Sequence, residues 1–217
     1  MVHALTVRSD TEPDGQTFLE AARRAQILRA TAEVIAELGY AKTSLARIAR
    51  QIGVSKGVIL YHFTDKDSLI RALIWDVYER GAAAIGAAVS REHSASGKLR
   101  AYISANLEFT AAHRLDALAL VELGSSYRTP EGLRLDQLAE QAMPLPHGLA
   151  ALDLLPIFQE GLRSGEFREF EPAAMGIAVR SAIDSAGSCL ARDPGFDVRA
   201  FAAELVTTFD LATRRPT

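Results

Sequence analysis

The chain has 217 residues, of which 48% are hydrophobic and 24% charged, a length and balance that fit one medium domain or a small and a medium one with a core that needs no staples. A single cysteine excludes an internal disulfide, no Cys/His cluster has zinc spacing, no apolar run approaches the ~20 residues of a membrane span, and the first residues lack an apolar signal core, so a cytoplasmic protein without metal or cofactor is expected. An Ala-, Leu-, Arg- and Glu-rich chain with few β-branched runs leans to an all-α fold. The net charge of −3 argues against a nucleic-acid-coating protein, but it conceals three blocks: −2 over residues 1–16, +4 over 17–66 and −5 over 67–217.

Residues 1–16 mix Asp, Glu, Pro and Gly without periodicity and are expected to be a disordered arm. Thr17 with Glu20 fits a capping box opening a first helix, in which Ile27, Thr31, Val34 and Leu38 recur at helical spacing up to Gly39. A second, short amphipathic helix follows the hydroxyls of Thr43 and Ser44, with Leu45, Ile48, Ala49 and Ile52 as its inner face. Only Gly53 and Val54 separate it from a third, capped by Ser55 and anchored by Ile59. Two short helices joined by a tight glycine turn form the helix-turn-helix pattern, in which the second helix enters the major groove. Asp65 caps a long helix predicted to run from Lys66 to about Arg91 and to join the small basic part to the acidic body.

Ser94–Gly97 breaks the pattern, and helices are predicted from Leu99 to about His113 and from Leu115 to Tyr127. A weaker segment spans Thr129 to Ala142, a loop Met143 to Gly148, and a helix Leu149 to Ser164 that Pro156 is expected to kink. Gly165 closes it. Glu171-Pro172 opens a helix to about Arg192, Asp193-Pro194-Gly195 is a turn, and Asp197 caps a last helix to about Arg214. No strand alternation and no repeat is found. Nor is there a phosphate loop, a nucleophile elbow or a metal-ligand helix, so no catalytic residue is assigned and an enzyme is not expected.

The run TSLARIARQIGVSKGVILYHFTDKDSLI, Thr43 to Ile70, closely resembles the DNA-binding domain of the tetracycline-repressor (TetR) family of bacterial regulators, and the likeness extends over about residues 20–75. Beyond the arm at 1–16, the resemblance implies a helix-turn-helix domain at 17–66 and an effector-binding and dimerisation domain at 67–217. It implies a ligand-responsive regulator, in this family most often a repressor, that binds a pseudo-palindromic operator as a homodimer. The open alternative is an all-helical interaction module without operator binding.

The candidate DNA contacts are Thr43, Ser44, Ser55, Lys56, Gly57, Val58, Leu60, Tyr61, His62 and Lys66. Lys56 suits guanine O6/N7 or a phosphate, Gly57 lets the backbone approach, and Val58 suits a thymine methyl. Thr43 and Ser44 suit a phosphate at a helix N-terminus. By resemblance, Thr43, Tyr61, His62 and Lys66 meet phosphates while Lys56 to Val58 face bases. Many members carry tyrosine where this chain has Leu60, which either meets a thymine methyl or packs inward. Tyr61 is either a backbone contact or half-buried core, and Arg47 and Arg50 either touch phosphate or are solvated.

For a largely apolar small-molecule effector the candidates are Trp75, Tyr78, Tyr102, Asn106, Phe109, His113, Glu122, Tyr127, Met143 and Phe158, with Asn106, Phe109 and His113 on one helical face. For the dimer interface they are Ala178, Ala182, Ile183 and Ala186 in the penultimate helix and Phe201, Leu205 and Phe209 in the last, unless both helices are simply core of their own chain.

Overall fold

Apolar stripes, caps and glycines set where each helix begins and ends. The structure is a computed structural model and describes residues 18–137 and 147–215. The expectations for the N-terminal arm, for the capping residue Thr17, for Met143 and for most of the 138–148 stretch therefore lie outside the described residues.

Helix α1 (Phe18–Leu38) buries Ile27, Leu28, Thr31, Val34 and Ile35 along one side. It ends where Gly39 takes φ 82 and returns its N–H to Ile35 O, a left-handed C-terminal stop that suits glycine. One 3-10 turn (Tyr40–Lys42) leads to α2 (Leu45–Gln51), whose N-cap Ser44 accepts from Arg47 N. Gly53, at φ 69, makes the turn into α3 (Lys56–His62), capped by Ser55. Ile48, Ala49 and Ile59 are buried where α2 and α3 cross on α1. The long helix α4 (Lys66–Val89) starts with a reciprocal capping box between Asp65 and Ser68.

Helix α5 (Ala95–Ala112) is capped twice: Ser94 accepts from Gly97 N, and the Glu166 carboxylate, from a distant loop, accepts from Ala95 N and Ser96 N at 3.2 and 3.1 Å. His113, at φ −122 and ψ 50, is the single non-helical residue between α5 and α6 (Arg114–Ser126). Residues 147–152 form a 3-10 segment, followed by α7 (Leu155–Ser164), α8 (Pro172–Arg192) and α9 (Val198–Thr213). The kinked helix expected over Leu149–Ser164 is instead two elements. Pro156 sits in the first turn of α7, where its missing N–H costs nothing, and it starts the helix rather than bending one. Among the described residues the only extended pairing is an isolated bridge between Phe167 and Arg214.

Two buried clusters organise these helices. One joins α1–α3 and the first half of α4 to Ala119 and Leu123 of α6 and to Tyr127 just after it. The other gathers α5, α7, α8 and α9 around Tyr102, Ile103, Phe158, Val179 and Ile183. Helix α6 therefore belongs to both halves: it packs on α1 with one side and on α8 with another. At least 37 hydrophobic side chains are buried, which is the apolar burial an unstapled chain of this size needs.

Candidate DNA interface and ligand cavity

Burying Ile59 fixes the rotation of α3 and turns Lys56, Gly57, Leu60 and Tyr61 to solvent, with Leu60 42% and Tyr61 73% exposed. Val58 and His62 are half-buried at the edge of this face. Both Leu60 and Tyr61 thus point outward, away from the core. A Cβ on Gly57 would meet nothing nearer than Ser55 Oγ at 3.5 Å, so the interior does not demand a glycine there. The Tyr61 hydroxyl donates to Glu20 at 3.0 Å, and that carboxylate pushes the phenol pKa up. Ser44, Arg47, Arg50 and Ser55 are exposed on the same end.

Two of the expected contacts are engaged within the chain. Thr43 is buried, and its hydroxyl donates to Gly39 O at 2.9 Å, because the chain must close the turn after α1. Lys66 donates to Tyr40 O at 2.9 Å and lies 3.8 Å over the Tyr40 ring; burial lowers its pKa. Both side chains hold the 3-10 turn in place; Thr43 is spent on it, while Lys66 stays half-exposed.

Below this unit, α4, α5, α6 and α8 enclose a cavity of about 250 Å³. Tyr78, Asn106, Phe109 and His113 line it. The Phe109 and His113 rings stack at 4.1 Å, and His113 Nδ1–H donates to Phe109 O. The remaining wall is mostly apolar, from Val77, Ile85, Leu120, Val121, Leu135 and Ile183.

The other effector candidates lie elsewhere, each for a packing reason. Trp75 is partly exposed on the outside of α4. Tyr102 is fully buried behind the cavity wall, donating to Leu152 O. Phe158 packs edge-on against Phe170 and Phe167. Tyr127 donates to Asp67, tying the end of α6 to the start of α4. Glu122 accepts from Tyr40 N at 3.0 Å, so its carboxylate faces the turn before α2 and not the cavity.

The sequence reasoning missed Arg180 and Asp184, which line the cavity from α8. Arg180 Nη1 donates to Tyr102 Oη at 3.2 Å and Asn106 Oδ1 at 3.0 Å, while Nε donates to both Asp184 oxygens at 3.0 and 3.1 Å. Burial works against the guanidinium charge, but Asp184 and Tyr102 outweigh it and raise the pKa. The available signal was an i, i+4 pair of opposite charges inside an otherwise Ala- and Ile-rich helix.

Three of the expected dimer residues are also corrected. Ala186 (0%), Ile183 (3%) and Phe209 (8%) are buried within their own chain. Ala182, Phe201 and Leu205 are half-buried, and Ala178 is exposed. Ile177 at 69% and Leu211 at 55% are the large apolar side chains that α8 and α9 leave in solvent.

Residues 27–73 match the family model described as bacterial regulatory proteins, tetR family. The "HTH-type transcriptional regulator BetI" of Escherichia coli is 31% identical over 158 residues, covering 62% of this chain and 80% of that protein. The chain belongs to the TetR family. It is a ligand-responsive, DNA-binding transcription regulator. Other TetR-family chains share its fold: a regulator from Rhodococcus RHA1 superposes with a TM-score of 0.71 at 24% identity, over 90% of this chain and 98% of that one. The regulator FadR from Bacillus subtilis, solved in complex with stearoyl-CoA, superposes with a TM-score of 0.72 at 25% identity, over 84% of this chain and 95% of that one. The helix-turn-helix described above falls inside the matched residues, and the cavity lies beyond them, toward the C-terminus. No helix of the described residues is long and apolar enough to cross a membrane.

Proposed function

We propose that this TetR-family protein is a repressor that binds a pseudo-palindromic operator as a homodimer and leaves it when a small effector enters the cavity. Residues 17–66 act as the DNA reader and residues 67–217 as the effector and dimerisation body. The observation that carries the reading is the outward face of α3: with Ile59 locked inside, Lys56, Gly57, Leu60 and Tyr61 are exposed on a short helix that follows a tight turn. Lys56 and Val58 read bases, and Ser44, Ser55, Tyr61 and His62 meet the backbone.

Dimerisation uses the exposed strip of α8 and α9 that includes Ile177, Ala178 and Leu211, and it sets the spacing of about 34–36 Å that two half-sites require. Helix α6 is the coupling element. It offers Leu120 and Val121 to the cavity and Glu122 to the turn before α2. An effector that fits one α6 position better than another shifts the population of DNA-competent dimers. The FadR relative was solved with stearoyl-CoA. Here about 250 Å³ falls just below the usual range for ligand pockets, about 300–1,000 Å³, which favours a much smaller effector.

The test is fluorescence anisotropy on DNA flanking the gene for this protein. Tight binding that Lys56→Ala weakens about tenfold, with the dimer intact, supports the reading. Unchanged affinity would sink the assignment of α3 as the reader.

A further inference from the structure

The cavity contains a guanidinium that the surrounding protein has been arranged to receive. Tyr102 is fully buried and donates its hydroxyl proton to Leu152 O, so the remaining lone pair on Oη faces Arg180. Asn106, 6% exposed, donates Nδ2 to Tyr102 O, which turns Oδ1 toward Arg180. An ordinary surface pair at i, i+4 has no such buried support, and on its own contributes little.

The anion now on this guanidinium is a poor fit for a permanent structural role. Asp184 is 61% exposed in the single chain and lies one helical turn from Arg180, so it can leave by a side-chain rotation. Arg180 is itself 37% exposed. Tyr78, 38% exposed, lines the same cavity, and its phenol, protonated at neutral pH, is available to donate. Opposite these groups the wall is apolar, with room for about eight water-sized groups at about 30 Å³ each.

We infer that the cavity receives a small monocarboxylate with a compact apolar tail, whose carboxylate replaces Asp184 on Arg180 and accepts from Tyr78. The inference rests on the reading of this cavity as the effector site. Asp184 then serves as an internal stand-in that keeps Arg180 paired while the cavity is empty. The exchange swaps one carboxylate for another on a fork that suits bidentate pairing, so it leaves no buried charge unpaired.

The test is calorimetric titration of the full-length protein at neutral pH with octanoate, 1-octanol, octylammonium and octanoyl-CoA, which share one chain and differ in head group. Octanoate is expected to bind at least about tenfold tighter than the other three, the difference a charge-assisted pair supplies. Asp184→Asn is expected to tighten octanoate by removing its competitor, and Arg180→Gln to weaken it at least about tenfold. If Arg180→Gln does not fold, Asp184→Asn and the head-group series still decide. Equal or tighter binding of octanol, octylammonium or octanoyl-CoA, no binding of octanoate at millimolar concentration, or weaker binding of octanoate to Asp184→Asn would each overturn the carboxylate assignment. Operator anisotropy in the same samples separates the two readings. Octanoate binding that leaves DNA affinity unchanged would overturn the effector role and leave the carboxylate site standing. DNA release by octanol or octylammonium, but not by octanoate, would do the reverse.

Discussion

On the proposed reading, Glu122 carries more of the coupling than its position in an apolar helix suggests. Its carboxylate satisfies the Tyr40 N–H, which otherwise has no place in the 3-10 turn, and Lys66 holds the carbonyl of the same residue. Two charged side chains thus hold Tyr40 from both sides, one on each of its flanking peptide groups, at the base of the helix-turn-helix. Glu122→Ala is expected to cost about 1 kcal/mol, read as a lower urea midpoint, because a part-buried donor is left unpaired. It is also expected to blunt the response of DNA binding to the effector while leaving operator affinity without effector nearly intact. A full effector response in Glu122→Ala would show that coupling runs elsewhere. This role was only half legible in the sequence. Glu122 stood out as a charge in an apolar run, but nothing local says whether such a charge faces a ligand or a distant backbone N–H. Arg180 and Asp184 were missed for the opposite reason: an i, i+4 ion pair reads as ordinary solvated surface until the fold brings Tyr102 and Asn106 behind it.

Helices were far easier to read than their neighbours in space. The caps Ser44, Ser55, Asp65, Glu171 and Asp197 and the stop at Gly165 mark local backbone chemistry, and all stand where the sequence puts them. Pro156 was misplaced because a proline inside an apolar pattern is compatible with a kink or with a fresh start, and the choice depends on the 3-10 segment before it. Which residues of the last two helices face outward is undecided by period for the same reason. Period alone gives a helix an apolar side, but α8 has one side against α5 and α6 and another in solvent, so Ala186 and Ile183 went inward while Ile177 and Ala178 did not.

Element packing yields two predictions. A Cβ on Gly161 would lie 2.1 Å from Cδ2 of the buried Phe167 ring, so Gly161→Ala is expected to destabilise the α7 region by about 1–3 kcal/mol in chemical denaturation. A loss within error would mean that the ring moves freely. The second concerns the cap of α5. Partial burial disfavours the Glu166 charge, but the N–H groups of Ser96 and Ala95 outweigh it and hold the carboxyl below its usual range. A depressed folded pKa gives stability that is complete above the unfolded value, about 4.3, and is lost as pH falls through the folded one. Glu166→Gln is therefore expected to be less stable at neutral pH and to lose less on acidification below about pH 4.3 than the native protein. Parallel pH profiles for the two would remove the cap from the account.

At the scale of the whole molecule, the weakly acidic net charge is no obstacle to reading DNA, because the basic residues cluster where α2 and α3 are exposed and the acidic excess lies in the body. One short reader binds DNA modestly, so operator binding needs two, held at a fixed spacing. Ile177→Glu is expected to shift the protein from dimer to monomer in light scattering and to weaken operator binding more than Lys56→Ala does, since it disconnects both readers at once. A stable dimer with that substitution would move the interface away from the exposed strip of α8.

The most direct measurement is the salt dependence of affinity for DNA flanking the gene, beside a random duplex of the same length. Specific binding is expected to exceed random binding by about a thousandfold or more, and to fall steeply with salt as phosphate counterions are released. A weak response to salt, or equal affinity for the two duplexes, would contradict the reading of this protein as an operator-specific regulator.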